Sequence, residues 1–433
     1  MSEKKGSVLG GMLLIAGSCI GAGMLGLPIV TGISGFFPSL SMFFCGWLFM
    51  TSTALLLVEV NGWFSRQVNL LTMANHSLGK WGKGICWVTY LFLFYALLVA
   101  YISGIGSLIG SFFQTSLHIS LPIWVGSLVF VLFFGWIVYL GTRNVDLFNR
   151  GLMFAKIGFF ILLVLIGVQY IRPGFLLRTD PIYAPSALPL LVIAFGFHNM
   201  IPSLTAYLKG DMKRVRITIL GGSLMALTIY LIWEILVLGI VPINGANGLI
   251  ASLKNDREAS QSIAAIIQSP WIRIFSQGLA FFAILTSFLA QALSLVHFLA
   301  DGLKVNYKKQ ESLNLCVLAL LPPLIFSLIY PQLFFKALNF AGGICAVILF
   351  GLLPVAMVWI GRYRMATPGT YQMAGGKPAL VLIFAFALFI LFLQLSTMLG
   401  ARYIPNPALA TESAEKISSS FFAQSLSYVP LKN

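Results

Sequence analysis

Eleven apolar runs long enough to cross a bilayer fill most of the chain. They cover residues 8–31, 34–63, 84–113, 122–141, 150–171, 186–208, 217–242, 271–299, 313–330, 333–360 and 378–402. A transmembrane helix needs roughly 20 consecutive apolar residues. The runs 313–330 and 333–360 are parted only by the turn at Pro331 and read as a helical hairpin. The pattern predicts an all-α membrane protein of about eleven spans. Composition agrees. Charged residues make up 9% of the chain and hydrophobic residues 59%, whereas soluble domains carry roughly 25% charged residues. So few charges could not cover the surface of a water-soluble fold of 433 residues; a bilayer removes that need. The first run follows Lys4 and Lys5, and its length marks it as a retained span rather than a cleaved signal.

The net charge of +15 belongs to topology, not to nucleic acid. Seventeen Lys and Arg residues fall in the N-terminal segment and every second loop: Lys4, Lys5, Arg66, Lys80, Lys83, Arg143, Arg150, Lys209, Lys213, Arg214, Arg216, Lys304, Lys308, Lys309, Arg362, Arg364 and Lys377. The intervening loops at 32–33 and 114–121 hold none. Basic loops stay in the cytoplasm. The N-terminus is therefore predicted inside and, with an odd span count, the C-terminus outside. The Ser-rich tail, 403–433, shows no usable periodicity and reads as irregular. The five cysteines form no CxxC pair and the four histidines are scattered, so neither a metal nor a cofactor is expected.

The chain also repeats weakly. Gly21–Pro28 in the first run and Gly196–Pro202 in the sixth both place Gly and then Pro near mid-membrane, about 175 residues and five spans apart. An odd number of spans per copy inverts the second copy. Broken helices at matching positions of inverted halves point to a transporter's binding site. The repeats run over about 8–171 and 186–360, with 378–402 as an extra helix in a single transmembrane domain, 1–402.

Gly21-Ala22-Gly23-Met24-Leu25-Gly26 matches GxGxxG, but a dinucleotide site needs a preceding strand, and an apolar helical run stands there instead. A glycine-rich packing face, with Gly17 and Gly21 as GxxxG, is one reading. An unwound segment lining a cavity is the other, since unpaired backbone cannot face hydrocarbon. The helix end before such a break attracts an ammonium and the helix start after it a carboxylate. Those are the two charges of an amino acid. His198, beside the second break, reads either as a buried histidine bonded to freed backbone or as part of the cavity. Lys156 lies about two turns into the fifth run. It either snorkels to the surface or marks an ion pathway. Thr286 and Ser287 could bond the preceding turn or line an ion site. Glu59 and Glu234, near span ends, read as interfacial, and Asp146 as a local partner of Arg143 or Arg150. No His, Asp or Glu cluster of the kind a membrane enzyme needs is evident, though a channel or an enzyme stays open at this point.

Several segments together resemble the hydroxy/aromatic amino-acid permeases, the tyrosine- and tryptophan-specific ones above all. They are Gly-Ser-Cys-Ile-Gly-Ala-Gly-Met-Leu-Gly-Leu-Pro (17–28), Ala-Leu-Leu-Leu-Val-Glu-Val (54–60), Tyr-Ala-Leu-Leu-Val-Ala-Tyr-Ile-Ser-Gly (95–104), Val-Asp-Leu-Phe-Asn-Arg (145–150), Phe-Gly-Phe-His (195–198) and Thr-Ser-Phe-Leu (286–289). The resemblance covers roughly 5–402. It implies the LeuT-like five-plus-five inverted-repeat fold of the amino acid–polyamine–organocation superfamily with helices 1 and 6 broken. It also implies proton-coupled uptake of an aromatic L-amino acid, tyrosine first and tryptophan next, through the inner membrane; a sodium-coupled or exchange carrier for another neutral amino acid is the alternative. Carried over by position, Gly21, Ala22, Gly23 and Met24 would bind the α-carboxylate, and carbonyls near Phe195 and Gly196 the amine. Lys156, Thr286 and Ser287 would form the coupling site. Tyr101, His198, Phe288 and Gln291 would surround the side chain.

Overall fold

The structure is a computed structural model that describes residues 6–64, 68–303, 309–367, 369 and 371–400. The tail read as irregular, 403–433, lies outside the described residues. Apart from one isolated bridge between Gly35 and Thr179, the described residues form helices and the turns that join them. In order these are α1 (Val8–Cys19), α2 (Ala22–Thr31), α3 (Phe36–Asn61), α4 (Leu70–Leu117), α5 (Ile123–Tyr139), α6 (Thr142–Gly167) and the short α7 (Pro173–Leu176). There follow α8 (Leu188–Ala194), α9 (Ile201–Tyr207), α10 (Met212–Ile240), α11 (Leu249–Lys254), α12 (Ala259–Ile266), α13 (Pro270–Leu303), α14 (Lys309–Ile329), α15 (Phe334–Phe340), α16 (Leu353–Tyr363) and α17 (Gly376–Met398).

Both predicted breaks are present. α1 and α2 meet at a 60° bend across Ile20 and Gly21. In the sixth run α8 stops at Ala194, a single 3-10 turn covers His198–Met200, and α9 resumes at Ile201. Glycine disfavours the helix interior by about 1 kcal/mol relative to alanine, so the chain gives up helical bonding at Ile20–Gly21, where other partners offer themselves. Among the described residues, eight helices are long and apolar enough to span, and the bent α1–α2 pair makes a ninth. The expected eleven is reached only by adding Ile123–Tyr139 and Leu313–Ile329, which are shorter. α5 presents Val129, Leu132, Phe133 and Trp136 outward. That i, i+3, i+4, i+7 stripe would be costly in water and suits hydrocarbon.

Two departures from the sequence pattern concern α4 and the tenth run. α4 begins at Leu70, capped by the Asn69 side chain, and bends at Gly79, whose φ of +68° is left-handed; the apolar run marked only the part beyond the bend. Between α15 and α16 the backbone winds as a π-helix over Ala341–Leu352. There Gly342 lies so close to the Pro189 carbonyl that a Cβ would overlap it. The tenth span thereby packs backbone to backbone on α8.

The glutamates are not interfacial. Glu59 is buried and ion-paired with Arg362, whose Nε and Nη2 lie 2.6 and 2.5 Å from its two oxygens, while Met373 N–H donates to it at 2.8 Å. A desolvated carboxylate needs such saturation. Glu234 is fully buried and accepts the Thr31 hydroxyl at 2.6 Å. Asp146 pairs with Arg150 one turn on, at 2.7 Å.

Candidate functional site

The ends created by the first break are answered by side chains from three other helices. Tyr230 of α10, fully buried, places its hydroxyl 2.6 Å from the Cys19 carbonyl and 2.7 Å from the Ala194 carbonyl. It therefore ties the last carbonyl of α1 to the last carbonyl of α8. Lys156 of α6 donates to the Ile20 carbonyl and lies 3.4 Å from the Thr286 hydroxyl. Its side chain is 1% exposed, so it does not snorkel. Ser287 of α13 accepts the Ala22 N–H at 3.1 Å and shares a side-chain hydrogen bond with Tyr101. Thr286 also bonds back to the Ala283 carbonyl at 3.1 Å. The two breaks touch: a Cβ on Gly23 would lie 3.6 Å from Ala194 Cα.

These groups border a cavity of about 280 Å³, near the lower end of the roughly 300–1,000 Å³ of small-molecule sites. Its walls include Gly21, Ala22, Gly23, Tyr101, Lys156, Gly196, Thr286, Ser287 and Gln291 from the residues anticipated in the sequence. It also takes in Leu93, Met153, Leu338 and Phe350, which no motif marked, and Leu97, Asn149 and Asn199, which lie within segments quoted above but have no role predicted from them. Met24, Phe195, His198 and Phe288 do not line it. Helical geometry explains the last two. His198 turns to the back of its segment, where Nε2 meets the Thr53 hydroxyl at 2.9 Å and the ring stacks on Phe350 at 4.7 Å. Phe288 packs edge-on against Phe130 at 4.8 Å.

The cavity runs past Leu13, Leu14 and Gly17 of α1 and past Asn149 and Met153 of α6, toward the end of the bundle that holds the N-terminus. The other end is closed. A Cβ on Gly26 would lie 2.9 Å from Phe335, and one on Gly104 would lie 2.8 Å from Phe334. Asp256, in the loop between α11 and α12, accepts Phe334 N–H at 2.6 Å and Phe335 N–H at 3.0 Å. It fixes the start of α15 over the seal.

Two broken helices apposed at a closed-ended cavity are the architecture of the LeuT-like fold. The solved structure of MhsT in complex with L-phenylalanine shares this fold, with a TM-score of 0.60, 15% identity, and coverage of 92% of this chain and 100% of that one. The chain matches the tryptophan/tyrosine permease family over residues 4–394, and it belongs to that family. Among its relatives are the tyrosine-specific transport system 1 of Haemophilus influenzae, 32% identical over 92% of this chain and 98% of that protein. The tryptophan-specific transport protein of Pseudomonas aeruginosa is 30% identical over 89% and 93%. The chain is thus a multi-pass membrane permease, not an enzyme.

Proposed function

We propose that this permease imports an aromatic amino acid, tyrosine first and tryptophan next, by symport with a proton across the inner membrane. Its N-terminus is cytoplasmic, its C-terminus external, and α5 and α14 complete eleven spans. The halves 8–171 and 186–360 move against each other, with 378–402 outside the repeat. The substrate carboxylate sits at the start of α2, at Gly21–Met24, and the amine at the carbonyls around Ala194–Gly196. The ring lies among Tyr101, Leu97, Phe350 and Gln291; His198 and Phe288 support that wall from behind.

The observation that carries proton coupling is the placement of Lys156. Its amine is buried on the Ile20 carbonyl beside Thr286 and has no carboxylate partner among the described residues. The C-terminal end of α1 carries a partial negative charge, so a protonated amine holds α1 to α6 and α13. Loss of the proton toward the cytoplasm weakens that hold and favours release, because a ligand shifts an equilibrium only by its differential affinity for the two states. The test is uptake into proteoliposomes under an imposed pH gradient. Lys156→Ala is expected to abolish accumulation while leaving some exchange. Lys156→Arg should fail too, since a guanidinium does not deprotonate in a protein. Normal gradient-driven uptake by the arginine variant, or wild-type accumulation that follows a sodium gradient and ignores the proton gradient, would overturn the reading.

A further inference from the structure

We infer that Asn199, oriented by Tyr90, selects a substrate whose ring carries a hydroxyl in the para position. The inference rests on the reading that the cavity takes an aromatic amino acid. Asn199 stands at the start of the second half of the sixth span, exposed into the cavity. Its Oδ1 accepts the Tyr90 hydroxyl at 2.6 Å. Tyr90 is itself immobile. It is buried, stacked on Phe94 at 5.7 Å, and packed against Phe298 and Phe350 at 5.8 and 6.2 Å. With one lone pair of its oxygen taken by Tyr90, the carboxamide keeps both N–H donors without a hydrogen bond among the described residues.

Leu93, Leu97 and Phe350 bring apolar surface to the same cavity, and Phe350 packs against Tyr90. A donor in such a slot favours a ligand that brings an acceptor and penalises one that leaves it unpaired. A phenol oxygen accepts. An indole N–H only donates, so tryptophan opposes donor to donor, and phenylalanine offers no partner. Gln291, also in the cavity wall, has no hydrogen bond among the described residues that fixes which end of its amide faces the ligand, so it does not make the distinction. Sites that hydrogen-bond a substrate hydroxyl reject analogues lacking it far more strongly than apolar pockets reject an added group.

The test is competition against labelled phenylalanine in proteoliposomes. The ratio of tyrosine to tryptophan competition then does not depend on the amount of folded protein. On the wild type, tyrosine should compete about tenfold better than tryptophan. It should beat 4-aminophenylalanine, a donor of similar size, by a similar margin. Asn199→Leu should cut the preference for tyrosine over tryptophan about tenfold, by weakening tyrosine and relieving tryptophan. Tyr90→Phe, which touches only the amide's orientation, should let the amide turn its oxygen inward and bring the tyrosine-to-tryptophan ratio toward one. A wild type that accepts 4-aminophenylalanine or tryptophan as well as tyrosine would overturn the inference, and this arm needs no variant to fold. So would an unchanged ratio in both variants. A wild type that carries none of the three aromatic amino acids would instead sink the aromatic-substrate reading.

Discussion

Tyr230→Phe removes one oxygen from the point where both broken helices meet. The ring stays, held by Phe195 at 5.0 Å and Phe43 at 6.3 Å between centroids, so packing is conserved. A hydroxyl has one proton, and here it is shared between the Cys19 and Ala194 carbonyls. The Cys19 carbonyl keeps the Gly21 N–H at 2.8 Å. The deficit therefore falls on Ala194, whose buried carbonyl loses its donor. Leaving a buried acceptor unmade costs about 1–3 kcal/mol. Because the lost bond positions the carbonyls proposed to hold the amine, the cost should appear in substrate affinity as a weakening of about 5- to 150-fold. Equilibrium binding of labelled tyrosine to purified protein reads the affinity, and thermal unfolding in detergent reads the stability. Both should fall in Tyr230→Phe. An affinity within about twofold of wild type together with unchanged unfolding would refute the view that this hydroxyl couples the breaks.

Three further outcomes follow from the same structure. Arg362→Leu strands the buried Glu59 carboxylate and should cost about 3–5 kcal/mol, seen as a large drop in thermal stability, whereas Asp146→Ala at the exposed pair should change it by less than about 1 kcal/mol. Gly23→Ala has room beside Ala194 and should keep binding, whereas Gly23→Leu should abolish it with folded protein still in the membrane; binding by the leucine variant would remove α2's start from the site. Glu258, in the loop outside the spans, is pushed by burial up to about 7 from 4.5, against the lowering by its bonds to Ser260 and Gln261. The folded state thus holds that proton more tightly than the unfolded chain does, so stability is full below about pH 4.5 and falls by about 3 kcal/mol as pH rises through 7. Glu258→Gln should flatten that part of the stability profile in detergent, and an unaltered slope would exclude Glu258 as its source.

What the sequence made legible was whatever interrupts a pattern. A lysine inside an apolar run, glycines followed by proline, and basic residues in alternate loops each stand out against a uniform background, and they led to Lys156 and the two breaks. What stayed hidden was whatever depends on a distant partner. The burial of Glu59 is decided by Arg362, 303 positions away, and that of Glu234 by Thr31, 203 positions away. Tyr230 and Tyr90 are ordinary aromatic residues of apolar runs until the fold brings Ala194 and Asn199 to their hydroxyls. His198 has two readings in the sequence, a buried histidine or a cavity residue, and the fold has it buried on Thr53. Its place beside the second break suggested the cavity, but one residue of helical rotation puts Asn199 on the open side and the imidazole behind it.

The first break also gives a physical reason for an unwound segment and the proposed coupling site to coincide. Unwinding at Ile20–Gly21 frees backbone groups that a bilayer cannot solvate. Tyr230 takes the Cys19 carbonyl, Lys156 the Ile20 carbonyl, and Ser287 the Ala22 N–H. These donors and this acceptor come from α10, α6 and α13, so the break is satisfied only while all three helices stand against it. The Gly23 N–H, at the cavity wall, has no hydrogen bond among the described residues. A carboxylate there would complete the set and draw on the positive end of α2. On the reading proposed above, substrate and the Lys156 proton would act on opposite ends of one two-residue gap. The carboxylate binds the helix that follows it, and the ammonium binds the helix that precedes it. Neither ligand needs to contact the other. Each stabilises the arrangement of α6 and α13 that the other also requires, and by linkage each raises the affinity for the other equally.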